Sequence, residues 1–405
     1  MQGKPDQRNA RGLTTALAGV AVLLAPLGCA KQVQEIKVGE YSSLTGDKAT
    51  FGISTHNGIQ MALDELNAAG GIGGVQVRLI TEDDQGKPEE AATAVQKLVS
   101  QDQVVAVLGE VASSNSLQGA PICQKNGVPM ITPASTNEKV TQQGDYIFRV
   151  CFIDPFQGTV MAKFAAQSLN LKRVGILRDA RSDYSIGLAN SFKETFASLG
   201  GEISGDEAYQ QGDVDFKGPL TALIATGPEA LFVPGYYTEV GLIARQVREL
   251  GFTGPLLGGD GWDSPKLVEI GGEAMNGHYF SNHYTEQDPS PVIQGFIQKY
   301  KAKYNQVPDA MGALSYDAAR VLFAALQQVQ AASPEEWKGL LATGAAKPEA
   351  RRAAMAALRD RIAATSSFPG VTGAITLDEQ RNARKPAVVL SIKEGKYAFV
   401  EQIAP

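Results

Sequence analysis

The sequence predicts an α/β fold in which parallel sheets are covered by helices on both faces. Short apolar runs rich in β-branched residues recur along the chain, and stretches of helical length separate them. This strand–helix alternation is typical of parallel sheets, whose strands are apolar on both faces. It pauses near residue 151 and then begins afresh, and 405 residues suffice for two full cores. We therefore expect two doubly wound α/β units.

The first unit begins with a strand near residue 36. Apolar residues at 59, 62, 63 and 66 repeat on one helical face, and the glycine-rich run at 70–74 ends that helix. The same reasoning predicts strands at 36–41, 75–81, 104–108, 128–131 and 146–151, with helices at 54–69, 88–99 and 114–126.

The second unit repeats this order, and a helical region follows it. Helices are predicted at 156–169, 186–199, 216–224 and 240–250, with strands at 173–177, 202–209, 230–233, 255–257 and 277–283. Further helices are predicted at 292–304, 313–330, 335–341 and 345–364, and short strands at 375–377, 387–392 and 397–400 close the chain.

Residues 1–29 are predicted to be a signal peptide. Basic residues at 4, 8 and 11 precede an uncharged run at 13–27. As a helix this run would span about 22 Å, short of the roughly 30 Å hydrocarbon core, so a cleaved signal fits better than an anchor. The run ends in Gly28-Cys29, which resembles a bacterial lipoprotein signal and predicts lipidation of Cys29. Pro26 departs from that pattern, and ordinary secretion stays open.

The two remaining cysteines are predicted to form a disulfide. Export would place Cys123 and Cys151 in an oxidising compartment. Cys123 lies on the helix before the strand at 128–131, and Cys151 ends the next extended run, so both can reach the same side of the first unit. Two free buried thiols are the alternative.

Composition and missing motifs exclude several functions. The net charge is −6 and no basic stripe carries interleaved aromatic residues, so nucleic acid and acidic membrane surfaces are poor partners. The chain has no P-loop, no nucleophile elbow, no C-x-x-C and no H-E-x-x-H, so we expect neither an enzyme nor a cofactor. His278 and His283 have opposite parity on one short strand, which argues against a shared metal site.

Hydroxyl-rich clusters follow two successive strands of the first unit. Ser113, Ser114 and Asn115 follow the strand at 104–108, and Ser135 and Thr136 follow the strand at 128–131. Carboxyl-end loops of neighbouring parallel strands lie side by side and commonly bind ligands. Helix N-termini there offer free N–H groups to an anion. These clusters predict half of a small-molecule site, although such residues are also good N-caps.

Several segments, in order, resemble the periplasmic leucine/isoleucine/valine-binding protein family, the receptor component of bacterial ABC importers. The resemblance runs from about residue 36 to 400. It rests on Ser43-Leu44-Thr45-Gly46, Phe51-Gly52, Ala68-Ala69-Gly70-Gly71-Ile72, Ala112-Ser113-Ser114, Thr132-Pro133-Ala134-Ser135-Thr136-Asn137, Phe148-Arg149, Asp154-Pro155-Phe156-Gln157-Gly158, Gly235-Tyr236-Tyr237 and Gly258-Gly259-Asp260-Gly261.

This resemblance implies the type I periplasmic binding protein fold, with two doubly wound parallel-sheet lobes joined by three crossing strands. The crossings should fall near Val150, His283 and Arg384. Lobe 1 would then comprise 30–151 and 284–384, and lobe 2 would comprise 152–283 and 385–405.

The resemblance also implies roles for residues of lobe 1. Ser113, with N–H groups at a helix start, would hold a ligand carboxylate. Thr136 would contact the amino-acid head group, and the carbonyl of Ser135 would accept from the ammonium. Phe51 would lie over the ligand side chain.

In lobe 2 the resemblance implies two closing tyrosines and one acidic residue. Tyr184 and Tyr236 would close over the ligand, and Asp260 would pair with the α-ammonium. Asp260 stands where the family often has Glu, which is one methylene longer. The aromatic residues could instead be ordinary packing residues, and Asp260 could be a turn residue among glycines.

The resemblance predicts a receptor of the periplasm or cell envelope. It would bind a small-molecule ligand and interact with a membrane permease. It would touch the membrane only through a lipid anchor. The expected ligand is a branched-chain or other neutral amino acid. Aromatic amino acids, amides and urea stay open, as does a sensor for amides or urea that feeds a signalling partner.

Overall fold

A computed structural model of the chain describes residues 34–342 and 348–404. The predicted signal peptide at 1–29, with the lipidation site Cys29, lies outside these residues. Among the described residues, no helix combines the length and apolar character needed to cross a bilayer.

The first sheet is parallel throughout and has the strand order β2-β1-β3-β4-β5. Its strands are β1 (Glu35–Ser42), β2 (Gln76–Asp83), β3 (Ala106–Leu108), β4 (Met130–Thr132) and β5 (Ile147–Arg149). The crossover helices are α1 (Ala49–Ala68), α2 (Pro88–Ser100) and α3 (Ser113–Asn126). β3, β4 and β5 are buried along their whole length, as expected of strands covered on both faces.

The second sheet contains five parallel strands. They are β6 (Arg173–Asp179), β7 (Glu202–Tyr209), β8 (Ala230–Phe232), β9 (Leu256–Gly258) and β10 (Tyr279–Asn282). The helices of this part are α4 (Asp154–Lys163), α5 (Asp183–Ser198), α6 (Lys217–Ala225), α7 (Tyr237–Glu249) and α8 (Pro265–Gly271). A π-helical turn over Phe164–Ser168 extends α4.

The C-terminal third of the described chain contributes helices that pack near the first sheet and strands that join the second sheet. Its helices are α9 (Pro291–Tyr304), α10 (Ala310–Ala332), α11 (Pro334–Leu341) and α12 (Pro348–Ala363). α10 packs along α1. The two helices approach each other closely at Gly58, where an added Cβ would lie only 2.2 Å from the carbonyl oxygen of Gly312. α10 therefore packs against a helix that covers the first sheet.

The last strands complete the second sheet. β11 (Phe368–Gly370) and β12 (Gly373–Ile375) form a separate antiparallel pair. β13 (Ala387–Lys393) then pairs antiparallel with β10, and β14 (Lys396–Ile403) pairs antiparallel with β13. The full strand order is β14-β13-β10-β9-β8-β6-β7.

The predicted fold class is confirmed. We call the first sheet with its helices the first lobe, and the second sheet with its helices the second lobe. The chain passes between them three times, between β5 and α4, between β10 and α9, and between β12 and β13. The exact boundaries expected from the sequence, 30–151 with 284–384 and 152–283 with 385–405, stay a prediction about which residues move together.

Some predicted element bounds differ from the structure. α1 begins at Ala49, five residues before the predicted start at 54, so Phe51 lies on a helix instead of in a loop. The antiparallel pair β11–β12 ends at Ile375, where a strand was predicted to begin. Helix α8 had no counterpart in the sequence-based prediction. Short elements carry too few periodic positions to set their limits.

The predicted disulfide between Cys123 and Cys151 is wrong, because both cysteines are free and buried. α3 starts at the carboxyl ends of the strands and runs back across the sheet, so Cys123 lies toward its far end. Cys151 instead follows the carboxyl end of β5, where its thiol donates to the carbonyl oxygen of Ser135 at 3.4 Å. Burial raises the pKa of Cys151 to about 12 and raises the pKa of Cys123 as well.

We expect a Cys29→Ala variant, unfolded without reductant, to react with two equivalents of a thiol reagent, one for each free cysteine. The folded protein should react far more slowly, since both thiols are buried and the reactive thiolate is disfavoured. A parallel sample treated with reductant is the control. Two thiols that appear only after reduction would contradict the structure.

Candidate functional site

A small cavity lies where the carboxyl ends of both sheets meet. Both lobes line it, with apolar residues mainly from the first lobe and polar groups from the second. The lining residues are Phe51, Val111, Ala134, Tyr184, Tyr236, Asp260, Gly261 and Met311. The structure therefore gathers Phe51, Tyr184, Tyr236 and Asp260 around one space, although they lie far apart in sequence.

The buried carboxyl group of Glu110 shapes the turn between β3 and α3. It accepts from the N–H and hydroxyl of Ser43 at 3.2 and 2.7 Å, and from the N–H of Ala112. Burial, together with the nearby Asp84, raises the pKa of Glu110 to about 8. This network fixes the path of the chain just before Ser113, the first residue of α3.

Ser113 lies at an uncapped helix start. The N-cap residue Ala112 makes no side-chain capping bond to the first turn of α3, and the first N–H groups of a helix have no partner within the helix itself. The buried Ser113 hydroxyl oxygen accepts from the N–H of Asn137 at 3.2 Å and keeps its own proton to donate. This end of the site is suited to an anion, because the N–H groups and the positive end of the helix dipole converge there.

Thr136 lies beside Ser113 with its hydroxyl oxygen buried and unpaired within the described part of the chain. The carbonyl oxygen of Thr136 accepts from the N–H of Asp154 at 2.9 Å. Both carboxyl oxygens of Asp154 are likewise buried without a hydrogen bond of ordinary geometry to a described residue. Desolvation raises the pKa of Asp154 well above the usual value, although the nearby Thr136 hydroxyl opposes that shift. A buried hydroxyl without a partner costs about 1–3 kcal/mol, which makes Thr136 a candidate to contact a ligand.

Ser135 differs from the sequence-based expectation. Its carbonyl oxygen already accepts from the Arg149 guanidinium at 2.6 Å and from the Cys151 thiol at 3.4 Å. Its hydroxyl contacts the carbonyl oxygen of Glu110 at 2.8 Å. A carbonyl oxygen has two lone pairs, so Ser135 supports the site and has no free acceptor for an ammonium group.

The aromatic side chains pack against one another across the lobes. Phe51 meets Tyr236 and Tyr237 edge-on, with ring centroids 6.2 and 4.8 Å apart. Tyr184 stacks on Tyr236 at 5.2 Å, and its hydroxyl oxygen accepts from the N–H of Gly261 at 3.1 Å. Burial raises the pKa of both Tyr184 and Tyr236 well above the ordinary value, so their hydroxyls are neutral.

Asp260 is buried with a donor on each carboxylate oxygen. The Gln157 amide donates to Oδ1 at 2.8 Å, and Nε2 of His283 contacts Oδ2 at 2.9 Å. Burial lowers the pKa of His283 to about 4 although Asp260 opposes the shift, so the imidazole is neutral at neutral pH. A carboxylate can only accept, so Nε2 carries the proton.

The glycines beside Asp260 have packing roles of their own. A Cβ on Gly258 would lie 2.1 Å from Cε2 of Trp262, and one on Gly259 would lie 2.5 Å from the Tyr184 hydroxyl. They are therefore required by the buried rings next to them, and Asp260 itself begins a 3₁₀ turn, Asp260–Trp262, after β9.

The two lobes are in direct contact around the cavity. Ser114 and Asp183 bond reciprocally, since the Ser114 hydroxyl contacts the Asp183 N–H at 3.0 Å and its Oδ2 at 2.9 Å. The Asn137 amide donates to the Asp183 carbonyl oxygen at 2.7 Å. Across the cavity, the Thr50 N–H donates to the Tyr237 hydroxyl at 3.3 Å.

Sequence reasoning missed Gln157, His283, Val111 and Met311 as neighbours of the site. Gln157 belongs to a segment that carried the family resemblance, but no role was inferred for it. His283 was considered as a metal ligand and as the place of the second crossing, but not as a neighbour of Asp260. Across the described residues, no group of three or more His, Cys, Asp or Glu side chains could hold a metal ion.

Comparisons with known proteins find similar sequences and similar folds. A sequence profile of the periplasmic binding protein family matches residues 35–396. A leucine/isoleucine/valine-binding protein of Rhizobium johnstonii is 32% identical over 323 residues, which cover 80% of this chain and 86% of that protein.

Two solved structures are also similar. A leucine-binding protein from Thermotoga maritima is 39% identical with a TM-score of 0.83, and the match covers 91% of this chain and 99% of that one. A branched-chain amino acid transporter substrate-binding protein from Streptococcus pneumoniae, in complex with isoleucine, is 33% identical with a TM-score of 0.81, and the match covers 92% of this chain and 100% of that one.

The buried, neutral His283 predicts a pH dependence of stability. Its pKa of about 4 lies below the ordinary value of 6.5, so between these values the unfolded chain binds a proton that the folded chain does not. This contribution to stability is complete above pH 6.5 and is lost as the pH falls toward 4. From pH 7 to 4.5, the wild-type protein should lose roughly 2–3 kcal/mol more unfolding free energy than a His283→Gln variant.

Urea unfolding at a series of pH values measures this difference. His278→Gln is the matched control, because His278 is also buried and its pKa is lowered to about 3. The His278→Gln variant should also lose less unfolding free energy than the wild type as the pH falls. Parallel stability curves for the wild type and His283→Gln would show that His283 is not held neutral.

Proposed function

The chain belongs to the periplasmic binding protein family, and from that premise we propose that it binds a branched-chain or other neutral amino acid for an ABC importer. Its relatives are binding proteins, so it is an extracytoplasmic solute-binding protein and not an enzyme. The ligand class, the residue roles and the closing motion below are parts of the proposal.

The observation that carries this proposal is that donors of the first lobe and an acceptor of the second lobe lie at the junction where the cavity is found, although of these groups only Asp260 lines the cavity itself. The start of α3 with Ser113 offers donors, and the Asp260 carboxylate offers an acceptor. An α-amino acid carries a carboxylate and an ammonium on neighbouring carbons, so it needs both. Thr136, whose hydroxyl is unpaired within the described structure, would contact the head group between them.

The remaining cavity wall favours an apolar ligand side chain. Phe51, Val111, Ala134 and Met311 line it with aromatic and aliphatic surface. Tyr184 and Tyr236 would cover the ligand from the second lobe. Each CH₂ group buried there contributes about 0.8 kcal/mol, which supports a branched aliphatic side chain, as in the ligand of the Streptococcus pneumoniae protein.

Closing of the lobes is part of the proposed mechanism. Phe51, Tyr184 and Asp260 are 1%, 3% and 3% exposed, so a ligand cannot reach them unless the lobes separate. The three crossings give a hinge at which such opening can occur. Ligand contacts on both lobes would then favour the closed form, because they form together only when the lobes meet.

The proposed partner is the membrane permease of an ABC importer, and the proposed anchor is lipid on Cys29. The signal peptide predicted at 1–29 would direct export to the periplasm or cell envelope. A sensor for amides or urea that feeds a signalling partner, the alternative left open by the sequence, is not favoured by the relatives.

We expect Asp260→Asn to weaken L-leucine binding by about 2–5 kcal/mol, because the buried ammonium would lose its charged partner. Ser113→Ala should cost less, about 1.5–3 kcal/mol, since N–H groups still hold the carboxylate. Isothermal titration calorimetry measures both.

The ammonium-free analogue 4-methylpentanoate is the control ligand, and Asp260→Asn should not weaken its binding. If Asp260→Asn binds L-leucine within a factor of about three of the wild type, under 1 kcal/mol, Asp260 does not pair with the ammonium.

Saturating L-leucine should lower the radius of gyration measured by small-angle scattering, because the ligand shifts the population toward the closed form. The Asp260→Asn variant at the same L-leucine concentration is the control and should change less. An unchanged radius for the saturated wild type would contradict hinge closure.

A further inference from the structure

We propose that His283 and Gln157 are positioning residues that hold the Asp260 carboxylate ready for an α-ammonium group. This inference rests on the proposed function and deepens it. It assigns the preference for amino acids over acids without an amino group to two side chains that touch Asp260 and do not line the cavity.

The two donors approach Asp260 from different elements. Gln157 lies on α4, just after the first crossing, and His283 directly follows β10, at the second crossing. Each carboxylate oxygen receives one of them, at 2.8 and 2.9 Å. Two donors on two oxygens fix both the position and the plane of the carboxylate, which one donor alone cannot do.

The His283 ring is itself locked in place. It stacks on Phe152 with centroids 3.8 Å apart and planes 21° apart, and its side chain is completely buried. Phe152 in turn packs edge-on against Phe156 at 5.7 Å. Rotation of the imidazole would break both the stack and the hydrogen bond, so the donor stays at a fixed position.

Neutral donors suit this task better than a cation. A charged partner would neutralise Asp260 and compete with the ammonium for it. The environment of His283 keeps the ring uncharged, since burial lowers its pKa to about 4 and Nδ1 has no partner among the described residues. The orientation of Gln157 agrees, because the opposite flip would place its amide oxygen against the carboxylate.

Both donors belong to the second lobe and its crossings, so the carboxylate is oriented without help from the first lobe. An acceptor oriented in advance loses no rotational freedom when the ligand arrives. The shorter Asp in place of the more usual Glu fits this arrangement, because a short side chain with two fixed donors has little freedom left.

A double-mutant cycle with L-leucine tests the inference, using wild type, His283→Phe, Asp260→Asn and the double variant in calorimetry. His283→Phe keeps a ring that can stack on Phe152 but removes the donor. It should raise the Kd for L-leucine about 10- to 100-fold, the size of a hydrogen bond to a charged group. In the Asp260→Asn background the same change should raise the Kd less than about threefold.

Two further variants separate positioning from general stability. His283→Gln restores a neutral donor and should bind L-leucine within about threefold of the wild type. His278→Phe is the matched control, because His278 is a buried histidine of the same segment whose Nδ1 accepts from the Leu256 N–H at 3.1 Å. It should lower thermal stability and leave L-leucine affinity unchanged. If His283→Phe does not fold, Gln157→Leu enters the same cycle in its place.

Equal penalties for His283→Phe in both backgrounds would mean a merely structural role and would overturn the inference, as would no penalty at all. If instead Asp260→Asn binds L-leucine as tightly as the wild type, the proposed ammonium pairing has failed and the inference falls with it. The single-variant and cycle results therefore distinguish the two failures.

Discussion

A buried carboxylate with neutral hydrogen-bond donors is the interaction on which the candidate site depends. Burying an ionised carboxylate without compensation costs far more than a single hydrogen bond returns. In this protein Asp260 accepts hydrogen bonds from Gln157 and His283. Both donors are uncharged, so neither neutralises the carboxylate. The stabilisation is therefore incomplete in the absence of a cation, and a ligand ammonium would complete it.

The parallel sheets bring the complementary end of the site to the same place. In both lobes the strands end toward the cavity, so helix starts and short loops from each sheet face one another. α3 presents N–H groups from the first lobe, while the turn after β9 presents Asp260 from the second. One architectural rule thus explains why donors and acceptors come from different lobes.

Buried polar groups around the cavity hold this arrangement rigid. Glu110 ties the loop after β1 to the turn before α3, and Arg149 binds the carbonyl oxygens of Ser135 and Asn137 at 2.6 and 2.8 Å. Both networks lie within the first lobe. The contacts between lobes include the Ser114–Asp183 hydrogen bonds and the Phe51–Tyr236 ring contact, and a hinge motion would break them.

The sequence by itself determined the α/β class and the two units, because periodicity is a local property, and its resemblance to a known family pointed to four of the residues that line the cavity, Phe51, Tyr184, Tyr236 and Asp260. Phe51, Ser113, Thr136, Tyr184, Tyr236 and Asp260 all lie at the junction between the lobes. The tertiary structure alone decided the contacts between distant segments. It occupied the Ser135 carbonyl, kept Cys123 and Cys151 apart and free, and brought His283 and Gln157 onto Asp260. Such contacts depend on where the ends of helices and strands lie in space and on which side chains are buried together. Local sequence patterns do not determine either.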